Sequence, residues 1–264
     1  RANWPTWSHP RRRDSPAAPP AASVSSCPRV DAWFYSTMLA GIAGEFDAVG
    51  VDLVLCALPD APARHRFFEA LPLRRKVDAV IVVSVPLTTR EHTRLDQLGG
   101  CPPCSWGGHH PRADQPWVGI DDERAAQQAV GHLLRIGHRD IAMIQAGDDG
   151  GTPWATNEAR IRGFHRQIGG AGLAEPIVET VEWGGIDGGA RGMELLLSRP
   201  QLPTAVFCHS DEIALGALRT LRRSGISVPQ QISVIGVDDH PSAEIAELTT
   251  VAQPVREQGA HRGG

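Results

Sequence analysis

The sequence predicts an α/β protein built as two parallel-sheet lobes. Three observations carry that prediction. Apolar runs of strand length alternate with amphipathic stretches of helix length along most of the 264 residues. Gly50, Gly137, Gly172 and Gly225 each follow a helical pattern and precede an apolar run, which is where a helix closes through a left-handed residue. Seven or eight strand–helix units in succession, joined by right-handed crossovers between parallel strands, exceed one doubly wound sheet, so the chain divides into two similar lobes.

In chain order, a helix over 34–48 leads to a strand over 51–56, whose Val-Asp-Leu-Val-Leu-Cys run is followed by a proline-containing turn. A helix over 61–73 precedes the β-branched strand 77–83, and a helix over 88–98 follows it. The alternation resumes with a strand at 117–120 and a helix at 123–136. Strand 140–145, helix 157–170, strand 177–181, helix 189–198, strand 204–208 and helix 211–224 continue it. A strand over 232–237 and a short helix over 241–246 complete it.

The stretch from Val228 to Asp239 is the most informative. A proline leads into an unbroken apolar run that ends abruptly in Asp238 and Asp239. Such a run reads as a strand buried on both faces of a parallel sheet. In open parallel sheets ligands bind beyond the carboxyl ends of the strands, which is where Asp238 falls. The alternative is a helix-capping role for the two carboxylates ahead of Ala243.

Composition narrows the function classes. The chain is 41% hydrophobic with a net charge of −4, giving no general attraction to nucleic acid or an anionic membrane. No run of about 18 apolar residues predicts a membrane span. The N-terminal stretch is basic and proline-rich without an apolar core, so a cytoplasmic protein without a secretory signal is expected. Lys76 is the only lysine, a footprint of GC-rich coding DNA. Cys56 and Cys208 end apolar runs and read as small buried hydrophobes. Cys101 and Cys104 with His109 and His110 resemble a zinc site only weakly, because no second Cys pair accompanies them. There is no nucleophile elbow, phosphate-binding loop, dinucleotide fingerprint or HExxH, so neither an enzyme nor a cofactor is expected.

Three segments break the alternation. Residues 1–28 are rich in Arg, Pro, Ala and Ser and read as a disordered or non-family tail. Residues 100–108 carry Cys-Pro-Pro-Cys-Ser-Trp where a strand is due, and 259–264 stop as a helix begins near Arg256.

Taken in order, these motifs resemble the effector-binding core of LacI/GalR-type bacterial transcription regulators: Phe34-Tyr-Ser-Thr-Met-Leu-Ala-Gly-Ile42, Val77-Asp-Ala-Val-Ile-Val-Val83, Val118-Gly-Ile-Asp-Asp122, Gly137-His-Arg-Asp-Ile-Ala-Met-Ile144, Ala159-Arg-Ile-Arg-Gly-Phe164, Ser210-Asp-Glu-Ile-Ala-Leu-Gly-Ala217, the strand ending at Asp238, and Leu248-Thr-Thr-Val-Ala-Gln253. The resemblance spans about Pro28 to Gln258. It implies a periplasmic-binding-protein-like fold of two Rossmann-like lobes, hinged around a ligand cleft. The first lobe would cover 29–121, the second 122–251, and 252–264 would be a truncated return to the first.

The resemblance also implies effector-binding residues. Arg160 matches the effector-contacting arginine, a planar fork suited to vicinal hydroxyls or a carboxylate. Its alternative is a surface salt bridge with Glu158 or Asp187. Asp238 matches the acidic residue that accepts from hydroxyls. Phe34 and Tyr35 match an apolar wall on the first lobe, with core packing as the alternative. Thr156 and Gln253 match polar contacts, Ser210 stands where many relatives carry Asn, and Trp183 lies near an aromatic wall position. No metal ligand is implied.

Departures from the family pattern matter too. Residues 1–28 contain nothing resembling the family's helix-turn-helix headpiece, so DNA is expected as a partner only through a segment absent from this chain. The first-lobe strand before Pro28 and the strand near Cys101 are expected to be missing or replaced. Frame slips in a GC-rich gene would account for these segments, and the coding DNA would test that.

The function implied is the sensing core of such a regulator. It would respond to a sugar, nucleoside, purine or related metabolite, and a homodimer is expected. Two alternatives stand beside it: an exported solute-binding protein of the same fold, and a truncated relic whose first lobe has lost strands.

Overall fold

A computed structural model describes residues 21–26, 30–58, 60–73, 76–97, 104–106, 117–147, 154–182 and 185–260, with 21–26 and 104–106 as backbone strands alone. The expectations for Trp183, Cys101, His109 and His110 fall outside these residues. The chain divides into two compact units, one formed by the described residues through Gly119 and from Val255 onward, the other by those of Ile120–Pro254.

The N-terminal unit contains β1 (Ala21–Ser26), α1 (Trp33–Asp47), β2 (Asp52–Ala57), α2 (Ala61–Ala70), β3 (Ala79–Val83), α3 (Thr89–Asp96), β4 (Cys104–Trp106) and β5 (Trp117–Val118). Its strands are all parallel, in the order β2-β1-β3-β4-β5. Local signals set the helix starts. Asp60 accepts from the Ala63 N–H at 2.6 Å, and Thr88 with Glu91 forms a capping box for α3. Phe67, Phe68, Leu73, Val80, Val82 and Leu95 form the core between these helices and the sheet.

Two expectations are overturned here. Residues 21–26 are not a tail: β1 sits inside the sheet, where Ala22 pairs with both Leu53 and Ala79. Nor is the strand near Cys101 lost, because β4 bridges β3 and β5. Ala-Ala-Ser-Val-Ser-Ser shows no apolar run, and its extended state comes from neighbours on both edges rather than from propensity. With both strands paired, the unpaired internal edges that motivated the relic alternative disappear.

The return of the chain is α9 (Val255–Gly259), which packs on α1 within the same unit. The contact is glycine to glycine. A Cβ on Gly41 would lie 2.3 Å from the Arg256 carbonyl, and one on Gly259 would lie 2.2 Å from that of Met38.

The C-terminal unit contains α4 (Asp122–Arg135), β6 (Ile141–Ala146), α5 (Ala155–Gly170), β7 (Val178–Val181), α6 (Ile186–Leu197), β8 (Ala205–Cys208), α7 (Asp211–Arg223), β9 (Ser233–Asp238), α8 (Ser242–Ile245) and β10 (Thr249–Ala252). Its parallel order is β10-β9-β8-β6-β7. Alternate strand residues feed two cores. Ala142, Ile144, Val206, Cys208 and Val234 join α6 and α7 on one face, while Met143, Phe207, Ile235 and Val237 join α4 and α5 on the other. Gly172 and Gly225 take φ of 67° and 69° as their helices close.

His138 ties the amino ends of three strands together. It lies just before β6, and its Nδ1 is 2.9 Å from the Thr204 hydroxyl ahead of β8. Its Nε2 is 3.0 Å from the Ser233 hydroxyl at the start of β9. Among the described residues no helix is long and apolar enough to cross a membrane.

Candidate functional site

Right-handed crossovers put the carboxyl ends of β6, β8, β9 and β10 at the same end of the sheet as the N-termini of α4, α5 and α7. Each helix contributes a charged residue there. Asp122 and Asp211 are the first helical residues of α4 and α7, where the helix N-terminus favours negative charge. Arg160 lies in the second turn of α5.

Arg160 is 4% exposed and Asp122 5%. The Arg160 Nε donates to Asp122 Oδ1 at 2.9 Å, and Nη2 lies 2.9 Å from the same oxygen. Nη1 donates to the His209 carbonyl beyond β8. Burial, together with the Arg160 charge, holds the His209 imidazole well below its ordinary pKa and therefore neutral. The suggested surface pairing of Arg160 is overturned. Glu158 instead faces Arg162 at 4.0 Å, and Asp187 takes Arg219 at 2.8 Å.

Asp238 ends β9 and is 6% exposed. Its carboxylate accepts from Gln253 Nε2 at 2.5 Å and from the backbone N–H of Asp211. Its φ of 140° is one that residues with a Cβ rarely adopt, a cost that tends to persist where the surroundings fix a functional group. Burial pushes its pKa up to about 7, with the Asp211 charge adding to the rise. Arg160 and the hydrogen bond from Gln253 oppose it.

Asp211 holds the turn beyond Asp238 in place. Its Oδ2 accepts from the His240 N–H at 2.8 Å, and its Oδ1 accepts from the Thr250 hydroxyl at 2.7 Å. Burial raises its pKa despite these bonds. Gly236 makes room for it, since a Cβ there would lie 2.1 Å from Asp211 Oδ1. Ser210 caps α7, accepting from the Ile213 N–H at 3.4 Å. Thr156 is half-buried one turn before Arg160, on the same helix face.

The structure thus gathers Arg160, Asp238, Gln253, Ser210 and Thr156 at one end of one unit. Phe34 and Tyr35 belong to the N-terminal unit, where they meet edge to face at 5.2 Å and Tyr35 is 1% exposed. Sequence reasoning missed Asp122, Asp211, His209 and Thr250 as members of the cluster. The signal was present for three of them, because Asp122, Asp211 and Thr250 sit inside motifs already singled out. A separate groove of about 570 Å³ lies at the opposite, amino end of β9 and β10, lined by His132, Leu218, Arg222, Val234 and Glu247 among others. Among the described residues no group of three His, Cys, Asp or Glu side chains could hold a metal ion.

Residues 130–261 match the periplasmic binding protein-like domain family. The chain is 31% identical over 235 residues to the HTH-type transcriptional regulator DegA of Bacillus subtilis (strain 168), covering 87% of this chain and 68% of that protein. It therefore spans about two thirds of that relative's length. The structure resembles a LacI family transcriptional regulator from Enterococcus faecium with bound ribose (TM-score 0.78, 27% identity, 90% of this chain and 86% of that one). It also resembles one from Lactobacillus casei with bound sucrose (TM-score 0.79, 27% identity, 91% and 88%). With these matches over the two-unit fold, the chain belongs to the LacI-type transcription regulators and carries their periplasmic-binding-protein-like part.

Proposed function

We propose that this chain senses a small metabolite of the sugar class, binding it where the strands of the C-terminal unit end. One observation carries the reading: a buried arginine and a buried aspartate, Arg160 and Asp238, share the carboxyl end of a parallel sheet with Gln253. Folded cores do not bury such groups without a structural or functional reason. Bound ribose and sucrose in the two solved relatives support the sugar class. Thr156 and Ser210 complete the proposed contacts in this unit, while effector contacts for Phe34, Tyr35 and Trp183 rest on the family resemblance alone.

Effector binding would shift a conformational equilibrium of the core and so alter operator occupancy through a DNA-binding segment of the intact regulator. The relatives named above are transcription regulators rather than enzymes, and a cytoplasmic setting fits that role. A homodimer is part of the reading. Exposed apolar side chains on both units support it: Val54 and Leu55 on edge strand β2, and Ile245 on α8.

The test is a thermal-shift screen of the purified chain against sugars, polyols, nucleosides and purines. A ligand at 100-fold its dissociation constant adds about 2.7 kcal/mol to the folded state. The shift should vanish in Arg160→Ala and in Asp238→Asn. A shift that survives both substitutions would place the ligand elsewhere.

A further inference from the structure

Three buried carboxylates and one buried guanidinium meet at the strand ends of the C-terminal unit: Asp122, Asp211 and Asp238 against Arg160. Fully ionised, the group carries two negative charges in excess. Arg160 cannot serve all three partners. Two of its nitrogens are committed to one oxygen of Asp122, and the third arm holds the His209 carbonyl.

Asp211 and Asp238 are left with neutral donors only: Thr250 and the His240 N–H for one, Gln253 and the Asp211 N–H for the other. Such bonds fill lone pairs but do not cancel charge, and unpaired charge in a buried setting is relieved by taking up a proton. The remaining neighbours bear on Asp211 rather than on Asp238: His209 is held neutral, the His240 imidazole opposes the rise at Asp211, and Asp239, next along the turn, adds a like charge toward it. The Asp238 carboxyl, without an ion-pair partner and raised by burial to about 7, is where the proton resides most readily.

We propose that this site holds one proton on Asp238 near neutral pH and accepts uncharged, hydroxyl-rich effectors, whose binding expels that proton to solvent. The proposal rests on the sensing role assigned above. A sugar hydroxyl donates its hydrogen bond to a carboxylate, not to a carboxyl group that keeps its own proton, so binding favours the ionised form. A phosphate or carboxylate on the effector would add charge to a cluster already in negative excess. The arginine fork that would receive it is occupied.

The experiment has two arms on the full chain. First, aspartate labelled with ¹³C at the carboxyl carbon is titrated by NMR in the ligand-free protein. One resonance should titrate near pH 7, vanish in Asp238→Asn, and move to lower pH in Asp211→Asn, which removes the like charge. Second, ribose, sucrose and ribose 5-phosphate are titrated calorimetrically from about pH 6 to about pH 8 in two buffers of different ionisation enthalpy. A neutral sugar should bind about tenfold tighter at the upper pH with proton release, and the phosphate ester should not bind.

A ligand-free protein with no aspartate titrating above about pH 5.5 would overturn the proposal, whatever the binding data. Sugar affinity independent of pH, or tighter binding of the phosphate ester, would overturn it as well. A near-neutral titration with no binding by any probe would leave the proton in place but sink the sensing role for these effectors, and the linkage with it.

Discussion

Arg160 and Asp122 join two helices through a single carboxylate oxygen, with Nε and Nη2 of the arginine both at 2.9 Å from Oδ1. The residues are 38 positions apart in sequence, and both are almost fully buried. Removing one partner strands the other's charge in the interior. Asp122→Ala is therefore expected to cost about 3–5 kcal/mol in urea unfolding of the C-terminal unit. Replacing both by apolar residues, as in Asp122→Leu with Arg160→Met, should cost much less than the sum of the single changes. Additive costs would show that the two do not act as a pair.

Gly236 is fixed by the neighbour it admits. Its Cα faces Asp211, and a methyl group there would lie 2.1 Å from Oδ1. Gly236→Ala must push Asp211 off the His240 N–H and the Thr250 hydroxyl or bend β9. A loss of about 2–3 kcal/mol is expected. Shortening the obstacle should relieve it, so Gly236→Ala together with Asp211→Ala should be milder than the two costs added. Strict additivity in equilibrium unfolding would remove this account.

Several of these features were legible in the sequence for physical reasons. The run ending at Asp238 is apolar because β9 is covered on both faces, and its abrupt end in carboxylates marks the sheet end. Gly50, Gly137, Gly172 and Gly225 were readable as helix ends, and all four have positive φ. What the sequence concealed depends on partners distant in the chain. Nothing local in Ala21–Ser26 marks a strand, since its pairing with β2 and β3 supplies what its small residues lack. The surface alternative for Arg160 named Glu158 or Asp187 and not its actual partner Asp122, because spacing along the chain does not report which helices pack together. Gln253 was expected to contact an effector, and its link to Asp238 became visible only once β9 and β10 were seen side by side.

Ile245 on α8 is 87% exposed, and Leu55 on edge strand β2 is 46% exposed. Neither contributes much to its own unit, so polar replacements should leave folding within about 0.5 kcal/mol. If these faces carry the proposed homodimer, Ile245→Asp or Leu55→Lys should weaken self-association with thermal stability otherwise retained. Sedimentation velocity across a concentration series measures this directly. An unchanged distribution in both variants would assign the dimer, if one forms, to other surfaces.

Asp238 also makes a prediction for the ligand-free protein. A carboxyl whose folded pKa lies near 7, above its ordinary value of 3.8, keeps its proton longer in the folded chain than in the unfolded one. The stability it contributes is fully present below about pH 4 and is lost progressively as pH rises through about 7. His138 and His209, held below 6.5, act in the opposite sense: stability is lost as pH falls below 6.5. The difference between wild type and Asp238→Asn cancels those terms. Asn at 238 stays uncharged and can still accept from Gln253, so the variant should match wild type near pH 4 and exceed it by a few kcal/mol at pH 8. Urea unfolding at unit steps from pH 4 to pH 8 gives that difference curve. A flat curve would mean that Asp238 ionises in the folded chain as it does in the unfolded one, and the neutral donors around it would then suffice to hold its charge.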